Sequence, residues 1–366
     1  MNSEDLLYAL ALQNIPNLGD TTAKKLIRKF GKAKNIFEEK KSNLLKIDGV
    51  GHVRIQELKD PKYLKAAEKE LKFIEANGIG VNYFQDDDYP EKLKHCIDGP
   101  ILLFSKGNID LQRKRIISIV GTRQITSHGM AFCEELIDNM AILDPVIISG
   151  FAYGVDITAH KAAVKNGLQT IACLAHGLNQ IYPKSHKKYI RDLEENGGFY
   201  TDFWSTDNFD RNNFLKRNRI IAGLSEATIV IESAEKGGAL VTADIASSYD
   251  REVFAVPGRP TDKYSTGCNN LIKSQRAHVL TSVADLAYIL NWEIEEKERA
   301  VQKQLFIELE KDEQKLYDLL KDRGKTELDL LALNSNFPTF KTASLLLNME
   351  LKGAIRPLPG KLFEVI

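Results

Sequence analysis

Long apolar runs are missing from this chain. No stretch of its 366 residues approaches the ~20 needed to cross a bilayer, so no membrane partner is expected. Charge bias is missing too. Fifty Lys+Arg stand against 50 Asp+Glu, so no global field attracts a polyanion and any anion site must be local. Cysteine is scarce: Cys96, Cys133, Cys173 and Cys268 lie far apart, with no C-x-x-C and no His at ligand spacing. That pattern reads as free thiols in a reducing cytosol, with neither a disulfide framework nor a metal site. The start, MNSEDLLYALAL, carries Glu4 and Asp5 where a signal peptide is basic, so a cytoplasmic protein is expected.

Two nucleotide signatures are also absent. A P-loop ending in Gly324-Lys325-Thr326 would need Gly at 319, where Leu319 stands. A dinucleotide fingerprint in Val120–Gly129 would need Gly at 121, 123 and 126, and this chain has Arg123 and Thr126. No ATPase and no cofactor are expected.

What is present falls into blocks. Residues 1–79 read as a small helical domain. Two segments, IPNLGDTTAKKLI (15–27) and IDGVGHVRIQEL (47–58), resemble helix-hairpin-helix turns. They are either phosphate-binding turns supported by Lys24, Lys25, Arg28 and Lys29 or a packing module with tight glycine turns.

Residues 80–290 alternate apolar runs with helical patterns, which predicts an α/β doubly wound parallel sheet of Rossmann-like type. The runs are 115–120, 146–149, 169–174, 198–203, 227–232, 252–257 and 278–280, preceded by an extended pair, VNYFQ and ILLFS. A charged stretch, 291–310, reads as a linker. Residues 311–366 read as a winged helix: helices at 312–323, 326–333 and 339–352, then a wing with Pro359-Gly360 at its tip.

In such a sheet, ligands bind beyond the carboxyl ends of the strands. The first loop there holds Gly121, Thr122 and Arg123, with Ser127 placed to cap the next helix. It suits a phosphate, unless Arg123 pairs with a carboxylate. The second, SGFAYGVDITAH, sets Asp156 and His160 four apart; they form either a catalytic pair or a pair that orders the loop. No serine or cysteine nucleophile in an elbow motif accompanies them, and no catalytic residue is assigned. Tyr182 and Lys184 follow the third strand, with Lys187 and Lys188 beyond. Lys236, Gly237 and Gly238 form a turn after the fifth, and GRPTDKYSTGCNNLI brings Asn269. Between the fourth and fifth strands lies Phe214-Leu215-Lys216-Arg217-Asn218-Arg219, leading into buried Ile220 and Ile221. Its cations are expected to meet an anionic polymer, with Phe214 free to stack on a base.

FLKRNRIIAGLS, VGTRQITSHG, SGFAYGVDITAHKAA, GGALVTADIA, FAVPGRP and GCNNLI, in this order, resemble the DprA (Smf) family of DNA-processing proteins. The resemblance implies a Rossmann-like domain that binds single-stranded DNA, dimerises through that domain, and loads the RecA recombinase during natural transformation. It makes Arg123 the pocket arginine and Phe214, Arg217, Asn218 and Arg219 the second DNA-contacting motif, with Lys184 a looser match. Ser274-Gln275-Arg276-Ala277 is longer by a residue than the Gly-Ala turn of many members.

Two other readings remain. The sheet domain also looks related to nucleoside-monophosphate phosphoribohydrolases, but EKGGALVTADI has Leu240-Val241 where their signature has Gly-Thr. The winged helix could read duplex DNA, but residues 301–366 hold ten Lys/Arg against ten Asp/Glu.

Overall fold

The computed structural model describes residues 1–112, 114–292, 309–358 and 361–365. They form two compact units, one ending at Trp292 and one beginning at Leu309. Most of the expected linker and the Pro359-Gly360 tip lie outside the described residues.

Nine strands make the sheet of the first unit: β1 Gly80–Tyr83, β2 Leu102–Gly107, β3 Ile116–Val120, β4 Val146–Ser149, β5 Thr170–Cys173, β6 Gly197–Thr201, β7 Ala227–Val230, β8 Glu252–Ala255 and β9 His278–Val279. Their order is β1-β2-β6-β5-β4-β3-β7-β8-β9. β3 to β9 pair in parallel, and β1 and β2 add an antiparallel margin.

Alternate strand residues serve opposite faces, as the two-residue side-chain period requires. Ile116, Val120, Ile148 and Val230 pack against one helical layer; Ile117, Ile119, Ile147 and Ile229 pack against the other. Both faces are dry, so the strands are continuous Val/Ile runs. Helix Ser127–Met140 is capped by the Thr126 hydroxyl, which accepts from Gly129 N at 3.0 Å. The cap is therefore Thr126 and not Ser127 as expected. The Glu232 carboxylate fixes that cap, accepting from Thr126 N at 2.9 Å and from its hydroxyl at 2.5 Å.

The N-terminal helices, among them Ser3–Gln13, Gly19–Phe30 and Pro61–Ala76, share a core with one face of this sheet. Partly buried polar contacts fasten them. Trp204 Nε1 donates to Gln13 at 2.9 Å, Ser205 N to Glu70 at 2.8 Å, and Ile101 N to Asp20 at 2.9 Å.

In the second unit, helices Lys311–Arg323, Leu328–Ser335 and Thr339–Leu351 pack around Leu316, Leu320, Leu331, Leu346 and Met349. The strands β10 Thr326–Glu327, β11 Ile355–Leu358 and β12 Leu362–Val365 form its antiparallel wing. This is a winged-helix arrangement.

Candidate functional site

β3 lies between β4 and β7. The chain runs outward from it through β6, then returns to its other side for β7–β9. At such a reversal the loops beyond the strand ends part and leave a crevice. It holds a cavity of about 620 Å³.

Five loops or helix starts furnish the walls. Gly121, Thr122 and Arg123 follow β3, Ala152 and Asp156 follow β4, and Tyr182 follows β5. Phe209 and Arg211 follow β6, and Ser233, Gly237 and Gly238 follow β7. Helix Arg211–Leu224 adds Phe214, Arg217, Asn218 and Ile221, a spacing that puts them on one face.

The Thr122 loop is held from three sides. Thr122 N donates to Glu232 O at 2.7 Å, Val155 N donates to Thr122 O at 3.1 Å, and the Thr122 hydroxyl accepts from Gln124 N at 3.1 Å. Gly154 has φ +76°, and a Cβ there would strike the Thr122 and Arg123 backbone. Arg123 therefore projects from a rigid base. It is exposed, makes no ion pair among the described residues, and lies 4.9 Å over the Phe214 ring. The expected alternative, a carboxylate partner, is not what the structure shows. A cation–π contact orients the guanidinium while leaving its charge unmatched.

Arg217 lies deeper. It is buried and donates to Cys173 O, its Nε has no hydrogen-bond partner, and its guanidinium is 5.9 Å from the Phe214 ring. Asp156 is its charge partner. Burial pulls Arg217 below its ordinary pKa against the attraction of Asp156, and burial pushes Asp156 upward against the attraction of Arg217. Three arginines and one carboxylate line the cavity, which is net positive. Phe209, Tyr182 and Phe214 form an aromatic rim with centroids 4.6 to 5.9 Å apart. Tyr182 and Phe209 are the more exposed of the three.

Arg219 corrects the sequence reading. Two residues beyond Arg217 on a helix, it points to the other side, toward the N-terminal helices. Asp20 at 3.0 Å, Asp202 and the Asp98 carbonyl accept its hydrogen bonds. Protein carboxylates, and not an anionic polymer, neutralise it. Their attraction outweighs burial and raises its pKa above the ordinary arginine value.

Asn269 is also elsewhere. Its side chain closes the Gly258 turn, donating to Gly258 O at 2.9 Å and accepting from Gly258 N at 3.2 Å. Lys184 is exposed at the start of a short helical turn and does not line the cavity. Lys236 is exposed beside Gly237 and Gly238 at its edge.

Asp156 and His160 do not pair. Asp156 accepts from Ala152 N at 3.3 Å; His160 is sealed between the Thr170 hydroxyl at 2.7 Å and Gly150 O at 2.5 Å. Both order the 150–152 loop. Burial draws the His160 pKa down to about 4, which keeps the ring neutral.

Arg211 and Phe209 belong to the site but were missed. One signal was available. Arg211 opens a helix behind the Asp210 cap, with no acidic residue in the first turn. A cation at that end opposes the helix dipole unless an anion meets it.

Residues 80–291 match the family model for DNA recombination-mediator protein A, and residues 302–361 match the DprA winged helix domain. The chain belongs to the DprA/Smf family. DNA processing protein DprA of Streptococcus pneumoniae is 37% identical over 201 residues, 55% of this chain and 71% of that protein. The X-ray structure of the Streptococcus pneumoniae DprA gives a TM-score of 0.67 at 30% identity, covering 77% of this chain and 97% of that one. DNA processing protein A of Helicobacter pylori gives 0.52 at 26% identity, covering 58% and 95%. The Helicobacter pylori structure concerns that protein's single-stranded DNA binding mode.

Proposed function

We propose that the chain binds single-stranded DNA in the cavity beyond β3 as a non-enzymatic recombination mediator. In this reading it works in the cytoplasm, protects incoming strands and loads RecA during natural transformation, as a homodimer through the sheet domain. Arg123 carries the proposal. Its unmatched guanidinium stands at the mouth of a net-positive cavity, beside exposed aromatic faces. Phosphates meet the arginines, and unpaired bases stack on Tyr182, Phe209 and Phe214. A duplex keeps its base faces covered and gains only the electrostatic part. The H. pylori relative supports the assignment of ligand.

Binding accounts for the polar groups better than catalysis does. Asp156 faces Arg217, and His160 is buried with a depressed pKa, so neither is poised to exchange a proton with a ligand. The winged helix also fits duplex reading poorly. The cation of its third helix, Lys341, is paired with Asp312 at 2.6 Å, while Phe340 and Leu347 are exposed.

The test is fluorescence anisotropy with a labelled single strand, using single-stranded and duplex competitors at low salt and at about 0.2 M. Preference for the single strand at both salts is expected; equal competition by duplex refutes the assignment. Incubation with AMP should release no adenine, and release would restore the phosphoribohydrolase reading. RecA filament nucleation on the strand should accelerate when the chain is added.

A further inference from the structure

A second cavity, about 660 Å³, lies against the first. Leu215, half exposed, lines both. Both also follow the same two helices. Thr242 of helix Gly238–Ser248 borders the first cavity, and Ile245, about one turn further on, borders the second. Helix Arg211–Leu224 turns Arg217 into the first and Lys216 and Arg219 into the second.

The opposite wall comes from the N-terminal helices. Lys25 arises from the first hairpin and Arg54 from the second, 29 residues apart in sequence and converging here. Their partners are neutral: Lys25 donates to Asp48 O at 3.4 Å, Arg54 to the Thr22 hydroxyl at 3.1 Å and to Gly49 O. Lys216 is exposed and makes no ion pair among the described residues. The two carboxylates in the wall are engaged. Asp20 binds Arg219 and Ile101 N; Asp98 accepts from the Tyr249 hydroxyl. Of the four lining cations Arg219 is paired with Asp20, and Asp98 keeps its charge because its partner is a neutral hydroxyl; the lining is net positive by two, with Lys25, Arg54 and Lys216 outside any ion pair among the described residues.

We propose that this groove is a second phosphate-binding subsite, through which a single strand leaving the first cavity passes over Leu215 and onto the N-terminal module. The inference rests on single-strand binding at the first cavity and extends it. The backbone is the recognised element, because the three charges border a groove with little aromatic surface. It also gives the N-terminal hairpins a ligand, with the partly buried Arg219–Asp20 pair setting them at a fixed distance from the strand's exit.

The double variant Lys25→Ala/Arg54→Ala and the single variant Lys216→Ala test it, with Arg123→Ala alongside. Each is titrated with salt against a short oligonucleotide of about six residues and a longer one of about 20, since one module engages ~4–16 nucleotides. On the longer strand the double variant should bind about tenfold more weakly, with the slope of log affinity against log salt reduced by ~0.7 for each charge removed. On the short strand it should match wild type, while Arg123→Ala weakens both. Unchanged binding of the longer strand by folded Lys25→Ala/Arg54→Ala overturns the second subsite. So does equal weakening on both lengths, which would place these cations in the first cavity. If Arg123→Ala leaves both lengths unaffected, the first-cavity reading fails instead.

Discussion

Replacing Arg219 by alanine should unfold the first unit more readily without altering the strand pocket. The side chain is about 15% exposed, and its partners Asp20 and Asp202 are 16% and 9% exposed. All three charges sit where the N-terminal helices meet the sheet domain. Removing the guanidinium leaves two carboxylates facing each other in a poorly solvated site. Burial already pushes Asp202 above the ordinary carboxylate range, with Arg219 as the force that opposes this. Breaking a buried pair from one side costs about 3–5 kcal/mol. For a unit of this size, 1 kcal/mol moves Tm by roughly 1.6 °C, so a fall of about 5–8 °C is expected. The assay is a thermal melt of wild type, Arg219→Ala and the triple variant Arg219→Met/Asp20→Asn/Asp202→Asn, which removes the charges together and should recover much of the loss. Short-strand affinity of the folded variant should stay within about threefold of wild type. A Tm within 2 °C of wild type, or a wild-type Tm combined with a large affinity loss and a lower salt slope, refutes the assignment of Arg219 to the internal ion pair.

Other expectations follow from the same structure. Phe214→Ala should cost ~1–3 kcal/mol of strand affinity through lost stacking and leave the salt slope unchanged, as salt titration will show. Truncation after Trp292 should leave the first unit folded and short-strand affinity within about threefold, because residues 301–366 are charge-balanced. His160 ties stability to pH. Its folded pKa, about 4, lies below the unfolded value of 6.5, so the folded state takes up its proton later. The stability it contributes is fully present above pH 6.5 and is lost as pH falls through 4, amounting to roughly 3 kcal/mol. Denaturant titrations at pH 7 and pH 5 should show a smaller pH difference for His160→Asn than for wild type; equal differences would contradict a buried neutral ring.

The sheet was legible because strands buried on both faces declare themselves as Val/Ile runs, and the strands lie within those runs to a residue or two. The crevice was legible for a related reason, since topology alone fixes which loops gather at the switch point. The partner of each cation was not. Arg217 and Arg219 are indistinguishable in FLKRNR, yet one lines the cavity and the other pairs with Asp20, 199 residues away. Local sequence carries no signal for a contact of that separation. The exclusion of Asn269 has the same origin. Its loop lies at the expected edge, but hydrogen bonds to Gly258 turn the side chain away from the cavity. Thr126 displaced Ser127 as the cap because Glu232, from β7's end, fixes its hydroxyl. The three aromatics of the rim come from two different loops and one helix, so only the fold assembles them.

The central claim is that Arg123 makes an ionic contact with a single strand. Because Arg123 is exposed and has no ion-pair partner among the described residues, its loss should leave the melt unchanged. The decisive measurement is the salt dependence of short-strand affinity for wild type and Arg123→Ala. The account predicts a slope shallower by ~0.7 and an affinity about tenfold lower at low salt; a folded variant with the wild-type slope and affinity would contradict it.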